Sequence, residues 1–457
     1  MIDLAIVLLW TVCFFYLYTS YGFLYIIGWS IITWATLNWM PLLFGYERVS
    51  GSDGIWLLDS PTNKMFITSI GILERITADQ MKDIVRASHE SESRAKKVIK
   101  LLFWRFYWKK DKNYNFDNHF ETISNKMDKN DFQQLVNSLV TKELDPKHPP
   151  HKVIFVENYE NDSSAFILRF HHAFADGLSM VSRVVWPSDE GSDKIFFQPP
   201  RPTFLKSIFL WTLAVISLPY SVISLALLKM NKNKLHGMPL TGKKTMYWTN
   251  DINFSDVGAI CKKRKITFND FLTASVIQAL NEYAGCDLGE LVSYIPFSLR
   301  GQPTDGTCLP LENDFAALLV RLPKGDFETL LNKCSSLFNK LKSSLQPFSI
   351  MLAMKLMGKI LPPSLSKQIM YFFANKATLL FSNVPGPKKE VRYKGKLMRR
   401  VISMSPTIGT SGISITSFSY NGYFLVTCYA DVAAMPDVQA FIKIVEKNIL
   451  EEISTLK

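Results

Sequence analysis

Histidine is scarce in this 457-residue chain, with seven copies, and cysteine is scarcer still, with six. The cysteines stand at Cys13, Cys261, Cys286, Cys308, Cys334 and Cys428, and no two of them form a C-x-x-C pair. That spacing argues against a zinc or redox pair and reads as unpaired thiols in a reducing compartment. Repeats of fixed period and low-complexity tracts are also absent, which leaves no solenoid to consider. No RNP-like, zinc-finger or basic-zipper pattern accompanies the surplus of 52 Lys and Arg over 40 Asp and Glu. Nucleic acid therefore has no motif in its favour. The net charge of +12 still suits an anionic partner, either a membrane leaflet or a phosphate-bearing substrate.

Charge itself is missing from long stretches. Between Leu4 and Phe44 there is none in 41 residues. As one helix these would reach about 60 Å at ~1.5 Å per residue, twice the ~30 Å hydrocarbon core of a bilayer. A break near Thr19-Ser20-Tyr21-Gly22 would make a hairpin of two segments; one tilted span is the other arrangement. A signal peptide fits poorly, because the run is too long and has no Lys or Arg before it. Ser207 to Leu228 is also uncharged and carries Pro219, which is expected to kink it. Crossing the bilayer there would put the two halves of the chain on opposite sides, so a monotopic, hairpin or protein-packed position is expected. Between Ser93 and Asn113, basic residues interleave with Phe103, Trp104, Phe106, Tyr107 and Trp108. That mix suits either a membrane-surface element or a solvated basic face over a buried aromatic cluster.

The rest alternates strand-like and helix-like windows, a mixed α/β chain of two lobes. Lys152–Val156 and Ser164–Leu168 read as strands, and Asn269 or Asp270 as the cap of an apolar helix. Tyr420–Tyr429 carries an Asn-Gly turn signal followed by a strand. The stretch that raises a functional question is Arg169 to Gly177, RFHHAFADG. Here two of the seven histidines sit together at the end of an apolar run, four residues before Asp176. A neutral imidazole at such a place can take a proton from a hydroxyl. Equally, the pair can be structural. Metal binding fits less well, since neighbouring strand positions point to opposite faces and no ligand set of recognisable spacing goes with them.

The spacing H-H-x-x-x-D-G resembles the signature of the coenzyme A-dependent acyltransferases. Within them the chain resembles the wax ester synthase/diacylglycerol acyltransferase family. The likeness continues through Ser60–Ile67, Phe116–Phe120, Leu144–Pro149, Asn269-Asp270, Pro296–Gly301, Asn313-Asp314-Phe315 and Ser382-Asn383-Val384-Pro385-Gly386-Pro387. It implies a two-lobe fold like chloramphenicol acetyltransferase, here with N-terminal hydrophobic membrane helices. The layout would be an anchor over 1–46, a first lobe over 47–200, an apolar crossover over 201–240 and a second lobe over 241–457. His172 takes the position of the catalytic base and His171 that of its neighbour. Asp176 would fix the loop with Arg300 as its ion-pair partner, and Gly177 would allow an unusual backbone conformation. Asn269 and Asp270 would shape the site or cap a helix. Ser382, Asn383, Pro385 and Gly386, loop-like in composition, would meet substrate or the other lobe. His151 stands where the family tends to carry an aromatic residue.

The resemblance further implies acyl-CoA and a lipid alcohol as substrates, membrane lipid as a partner, and no metal or other cofactor. The location would be the endoplasmic reticulum, a lipid droplet or the plasma membrane, with the lobes on the cytosolic side. Peptide-synthetase condensation domains share H-H-x-x-x-D-G but act beside carrier modules, which this chain lacks. Plant-type alcohol acyltransferases carry a D-F-G-W-G block with no counterpart here. A lipid-binding protein without turnover is the reading from another class.

Overall fold

The computed structural model describes residues 11–13, 16, 19, 22–191, 203–230, 232–300 and 308–455. In chain order its strands are β1 (Tyr46–Arg48), β2 (Phe66–Glu74), β3 (Lys97–Leu102), β4 (Arg105–Lys110), β5 (Phe120–Ile123), β6 (His151–Tyr159), β7 (Ser163–His171) and β8 (Lys244–Trp248). They continue as β9 (Ile252–Asn253), β10 (Leu291–Ser298), β11 (Phe315–Leu322), β12 (Leu379–Pro385), β13 (Arg392–Tyr393), β14 (Lys396–Met404), β15 (Ile413–Tyr420) and β16 (Tyr423–Asp431). Two mixed sheets form the lobes. The first has the order β13-β14-β2-β7-β6-β5, and the second β11-β10-β12-β15-β16-β8 with β9 beside β16. Strand β14 comes from the second half of the chain yet pairs with β2 of the first, Ile402 opposite Ile70. The lobes are thus sewn together, and Met398, Phe418 and Tyr420 join the aromatic core around β7.

All nine residues of β7 are buried, as a strand with neighbours on both edges and packing on both faces requires. It extends to His171, so His172 is the first residue past the sheet. The Asn-Gly pair after β15 makes the expected tight turn, with φ of 47° at Asn421 and 79° at Gly422. The helix Phe268–Ala284 is capped by Thr267, not by Asn269 or Asp270 directly. Asp270, three residues on, accepts from the Thr267 N–H at 2.7 Å, completing a capping box. The segment from Ser382 onward is no loop as far as Pro385: it lies in β12 and pairs with β15 through Ser419.

The basic aromatic segment folds as the β3–β4 hairpin, which β1 completes as a small sheet. Tyr107 and Trp108 are buried in it, while Leu101 and Trp104 near its tip are exposed. Phe23–Leu43 is an uncharged helix of 21 residues; most of the expected anchor ahead of it lies outside the described residues. Phe204–Leu227 runs as a single helix through Pro219, and among the described residues it is long and apolar enough to cross a membrane. One flank packs on the helix Gln346–Ile360, where the Ser217 and Ser349 hydroxyls meet at 2.7 Å.

Candidate active site

His172 is fixed from both its backbone and its ring. Its N–H donates to the Met65 carbonyl at 2.6 Å, and its ring stacks on Trp56 at 4.4 Å with Phe315 at 5.8 Å. Nδ1 lies 2.9 Å from Asn313 Oδ1. Which atom carries the proton follows from the other half of that amide. Asn313 Nδ2 donates to the His172 carbonyl at 2.8 Å and to Asp53 Oδ1 at 2.9 Å, so Oδ1 must be the end that faces the ring. An amide oxygen only accepts; the proton is therefore on Nδ1 and the lone pair on Nε2. Burial lowers the His172 pKa to about 4, which keeps the ring neutral at pH 7. Nε2 has no hydrogen-bond partner among the described residues.

Asp53 holds this arrangement from behind. Fully buried, it accepts from the Asn313 N–H at 2.7 Å and pairs with Arg94 at 3.0 Å. Burial raises its carboxyl above the ordinary value while Arg94 pulls it down. His171 turns elsewhere. Its Nδ1 accepts from the Ala173 N–H at 3.1 Å, and its Nε2–H donates to Asp59 at 2.7 Å. Burial is the largest single influence on the Asp59 carboxyl and raises it, but the His171 hydrogen bond and charge, the Met65 N–H and Lys64 together outweigh it and the pKa is lowered.

Asp176 caps the helix Gly177–Val185, its Oδ1 accepting from the Ser179 N–H at 2.8 Å. Its other oxygen accepts from the Asp314 N–H at 3.0 Å and lies 3.1 Å from Arg300, an ion pair buried on both sides. Arg300 also donates to the Glu312 carbonyl at 2.7 Å. The carboxylate thus ties the histidine loop to residues 312–314, the same segment that brings Asn313 to the ring. Gly177 opens the helix without using glycine's freedom: its φ is not positive, and an added Cβ would meet only Val384, at an ordinary 3.9 Å.

The remaining site residues form a second group across the lobe boundary. Asn383 Nδ2 donates to Asn269 Oδ1 at 2.6 Å, Ser382 is buried in β12, and Pro385 pairs opposite Ser419. Gly386 is packed so closely that a Cβ there would stand 2.2 Å from the Ser419 carbonyl. Among the described residues neither Asn269 nor Asp270 makes a hydrogen bond with His172; the two groups approach through Val384 beside Gly177. Cavities of about 80 and 50 Å³ flank the helix Gly177–Val185. Sequence reasoning missed Asp53, Trp56 and Asp59 altogether, and saw Asn313 only as part of a matching block. Among the described residues no group of three His, Cys, Asp or Glu side chains is placed to share a metal ion.

Two lobes joined by an exchanged strand, with a histidine just past the central strand of the first, define the coenzyme A-dependent acyltransferase fold. Family models match both lobes: the wax ester synthase/diacylglycerol acyltransferase catalytic domain over residues 50–203, and the C-terminal domain of the same family over residues 311–453. The chain belongs to that family and is an acyltransferase of its type. A Mycobacterium tuberculosis H37Rv protein named as a candidate diacylglycerol O-acyltransferase is 22% identical over 442 residues, covering 86% of this chain and 92% of its own. The wax ester synthase/diacylglycerol acyltransferase of Marinobacter aquaeolei VT8 matches in structure with a TM-score of 0.63 at 16% identity, covering 89% of this chain and 99% of that one. The starter condensation domain of rhizomide synthetase, solved with C8-CoA and Leu-SNAC, matches with a TM-score of 0.60 at 12% identity, covering 90% and 96%.

Proposed function

We propose that this chain moves a fatty acyl group from acyl-CoA to the hydroxyl of a lipid alcohol, either a long-chain alcohol or diacylglycerol, with His172 as general base. The observation that carries the reading is the Asp53–Asn313–His172 hydrogen-bond set, which leaves a neutral ring with its lone pair on Nε2. Nε2 takes the proton of the alcohol as the oxygen bonds to the thioester carbonyl. The tetrahedral intermediate then collapses, the C–S bond breaks, and the same proton passes from Nε2 to the thiolate of CoA. No bond to the protein forms. Such help is worth ~10²–10⁴-fold, and holding both substrates between the lobes adds to it. The exposed apolar helix Phe204–Leu227 and the aromatic, basic β3–β4 hairpin support work at a lipid surface; the surface proposed is that of the endoplasmic reticulum, a lipid droplet or the plasma membrane, with the lobes on the cytosolic side.

The test uses membranes from cells expressing wild type or His172→Ala, supplied with labelled palmitoyl-CoA and with hexadecanol and diacylglycerol in competition. Wild type is expected to make labelled neutral ester, and the variant, at equal protein level, at least ~100-fold less. Equal product from both removes His172 from the chemistry; no product from either leaves lipid binding without turnover.

A further inference from the structure

The helix Phe204–Leu227 is long and apolar enough to cross a membrane, yet its place in the fold forbids it. The chain before it supplies β2, the chain after it supplies β14, and the two strands pair in one sheet. Asp176 and Arg300, from either side of it in sequence, form one buried ion pair. A single crossing would put these partners on opposite sides of the bilayer. The helix is also tied down along its length. Ala214, Ser221 and Leu225 are buried on one flank, the Ser349 hydroxyl donates to the Ala214 carbonyl at 3.0 Å, and Lys376 donates to the Leu228 carbonyl at 2.9 Å.

The other flank is open. Leu205, Phe209, Ile216, Tyr220, Ile223 and Leu227 are all exposed, and their spacing by threes, fours and a seven sets them in one stripe. At ~1.5 Å per residue the stripe is about 33 Å long. No charged residue interrupts it between Lys206 and Lys229. It continues on the neighbouring helices, where Leu356 and Ile360 of Gln346–Ile360 and Leu365 and Phe372 of Pro363–Ala374 are exposed.

The β3–β4 hairpin adds a second element to this face. Arg105 donates to the Lys359 carbonyl at 2.9 Å, so the tip stands at the end of the helix Gln346–Ile360. Its two-residue turn is Phe103-Trp104, with φ of 47° and 59°. Both values are left-handed, where such a reversal ordinarily takes Asn-Gly or Gly-Gly, and bulky rings there cost free energy. Trp104 is exposed, as is Leu101, so burial within the protein does not offset that cost. Exposed Lys100, Lys206, Lys229 and Lys359 flank the apolar residues. An apolar stripe, an aromatic tip and flanking lysines are the composition of elements that lie in the headgroup region of a membrane.

We propose that this face docks flat on an anionic phospholipid bilayer. The helix Phe204–Leu227 lies along the interface with its outer stripe ~5–10 Å deep, at the boundary of headgroups and acyl chains. Trp104 dips in beside it, the lysines meet the negative headgroups, and both lobes stay on one side. This seating is independent of the reaction and of the acceptor.

Depth measurements test it on the full chain in vesicles of phosphatidylcholine and phosphatidylserine. Single cysteines replace Leu205, Ile216, Tyr220, Leu227 and Trp104 in turn, in a background where Cys13, Cys286 and Cys308, the three that are not buried, are changed to Ser. Each carries an environment-sensitive fluorophore. A nitroxide near the headgroups is expected to quench all five more strongly than one at the bilayer centre. Quenching from the centre at Ile216 and from the headgroups at Leu205 and Leu227 is the pattern of a crossing helix and overturns the flat seating. Quenching by neither nitroxide overturns the bilayer as occupant and leaves the stripe to a protein partner. Replacing phosphatidylserine by phosphatidylcholine is expected to weaken the quenching at Trp104; no change overturns the preference for anionic lipid. Protein without added labels gives an independent reading: brominated phosphatidylcholine quenches tryptophan, and Trp104→Leu is expected to lose part of that quenching. Equal quenching of wild type and Trp104→Leu overturns insertion of the hairpin tip. Turnover enters none of these readings, so failure of the acyltransferase assay leaves them intact.

Discussion

At the scale of the residue, the side chains of Asn313, Asp53 and Trp56 fix the position and tautomer of one histidine. Asn313 cannot be turned around without breaking two donations, to Asp53 and to the His172 carbonyl, so the amide dictates the tautomer of the ring. Asn313→Ala is expected to lower kcat about 10- to 100-fold, a share of the general-base effect, with KM for acyl-CoA unchanged. Steady-state kinetics on protein of unchanged Tm separates this from simple loss of fold. His172 and Asp176 were readable from the H-H-x-x-x-D-G spacing, and Arg300 only as a cation inside a block resembling the family, because a short loop constrains nearby sequence and a distant ion-pair partner does not. Asp53 and Trp56 were not: one holds Asn313 and the other stacks on the ring, both from a segment more than 100 residues upstream, and nothing local marks them. Gly177 ran the other way, since the residue suggested a special backbone and the helix start does not use one.

At the scale of the element, burial pattern and turn chemistry explain most of what was legible. The apolar run toward His171 read as a strand, and Asn421-Gly422 as a turn signal, and both are so in the structure. Ser382–Pro387 misled because Ser, Asn, Pro and Gly read as a loop, whereas pairing with β15 holds the segment extended through Pro385. Such tertiary pairing overrides local propensity. Close packing sets the value of its last residues. Gly386→Ala would drive a methyl group into the Ser419 carbonyl and the Phe418 ring, at a cost of about 1–3 kcal/mol. Gly177→Ala meets only Val384 and is expected to cost nothing. Urea midpoints of the two variants against wild type check the contrast.

At the scale of the whole molecule, the scarce histidines prove to be mostly interior. His89, His119 and His151 pack against one another, with ring centroids 4.5 Å apart for His89–His151 and His119–His151. Burial lowers all three, His89 to about 3, as it lowers His172 to about 4. Each binds its proton more weakly folded than unfolded, where the pKa is near 6.5. The unfolded state therefore takes up protons first, and stability falls as pH drops from about 6.5 toward these values. For His89 alone the loss between pH 6.5 and 5 is roughly 1.5 kcal/mol. Thermal melts at pH 7 and 5 are expected to show a lowered Tm at the acid end, with a smaller drop in His89→Gln. Sequence by itself determined the class of fold, the uncharged stretches and the H-H-x-x-x-D-G motif, because hydrophobic period, charge and spacing are local quantities. Only the tertiary structure decided that β14 crosses into the first lobe and that Asn313 sets the tautomer of His172. Those depend on which distant segments pack together, and packing is settled by shape and burial across the whole chain.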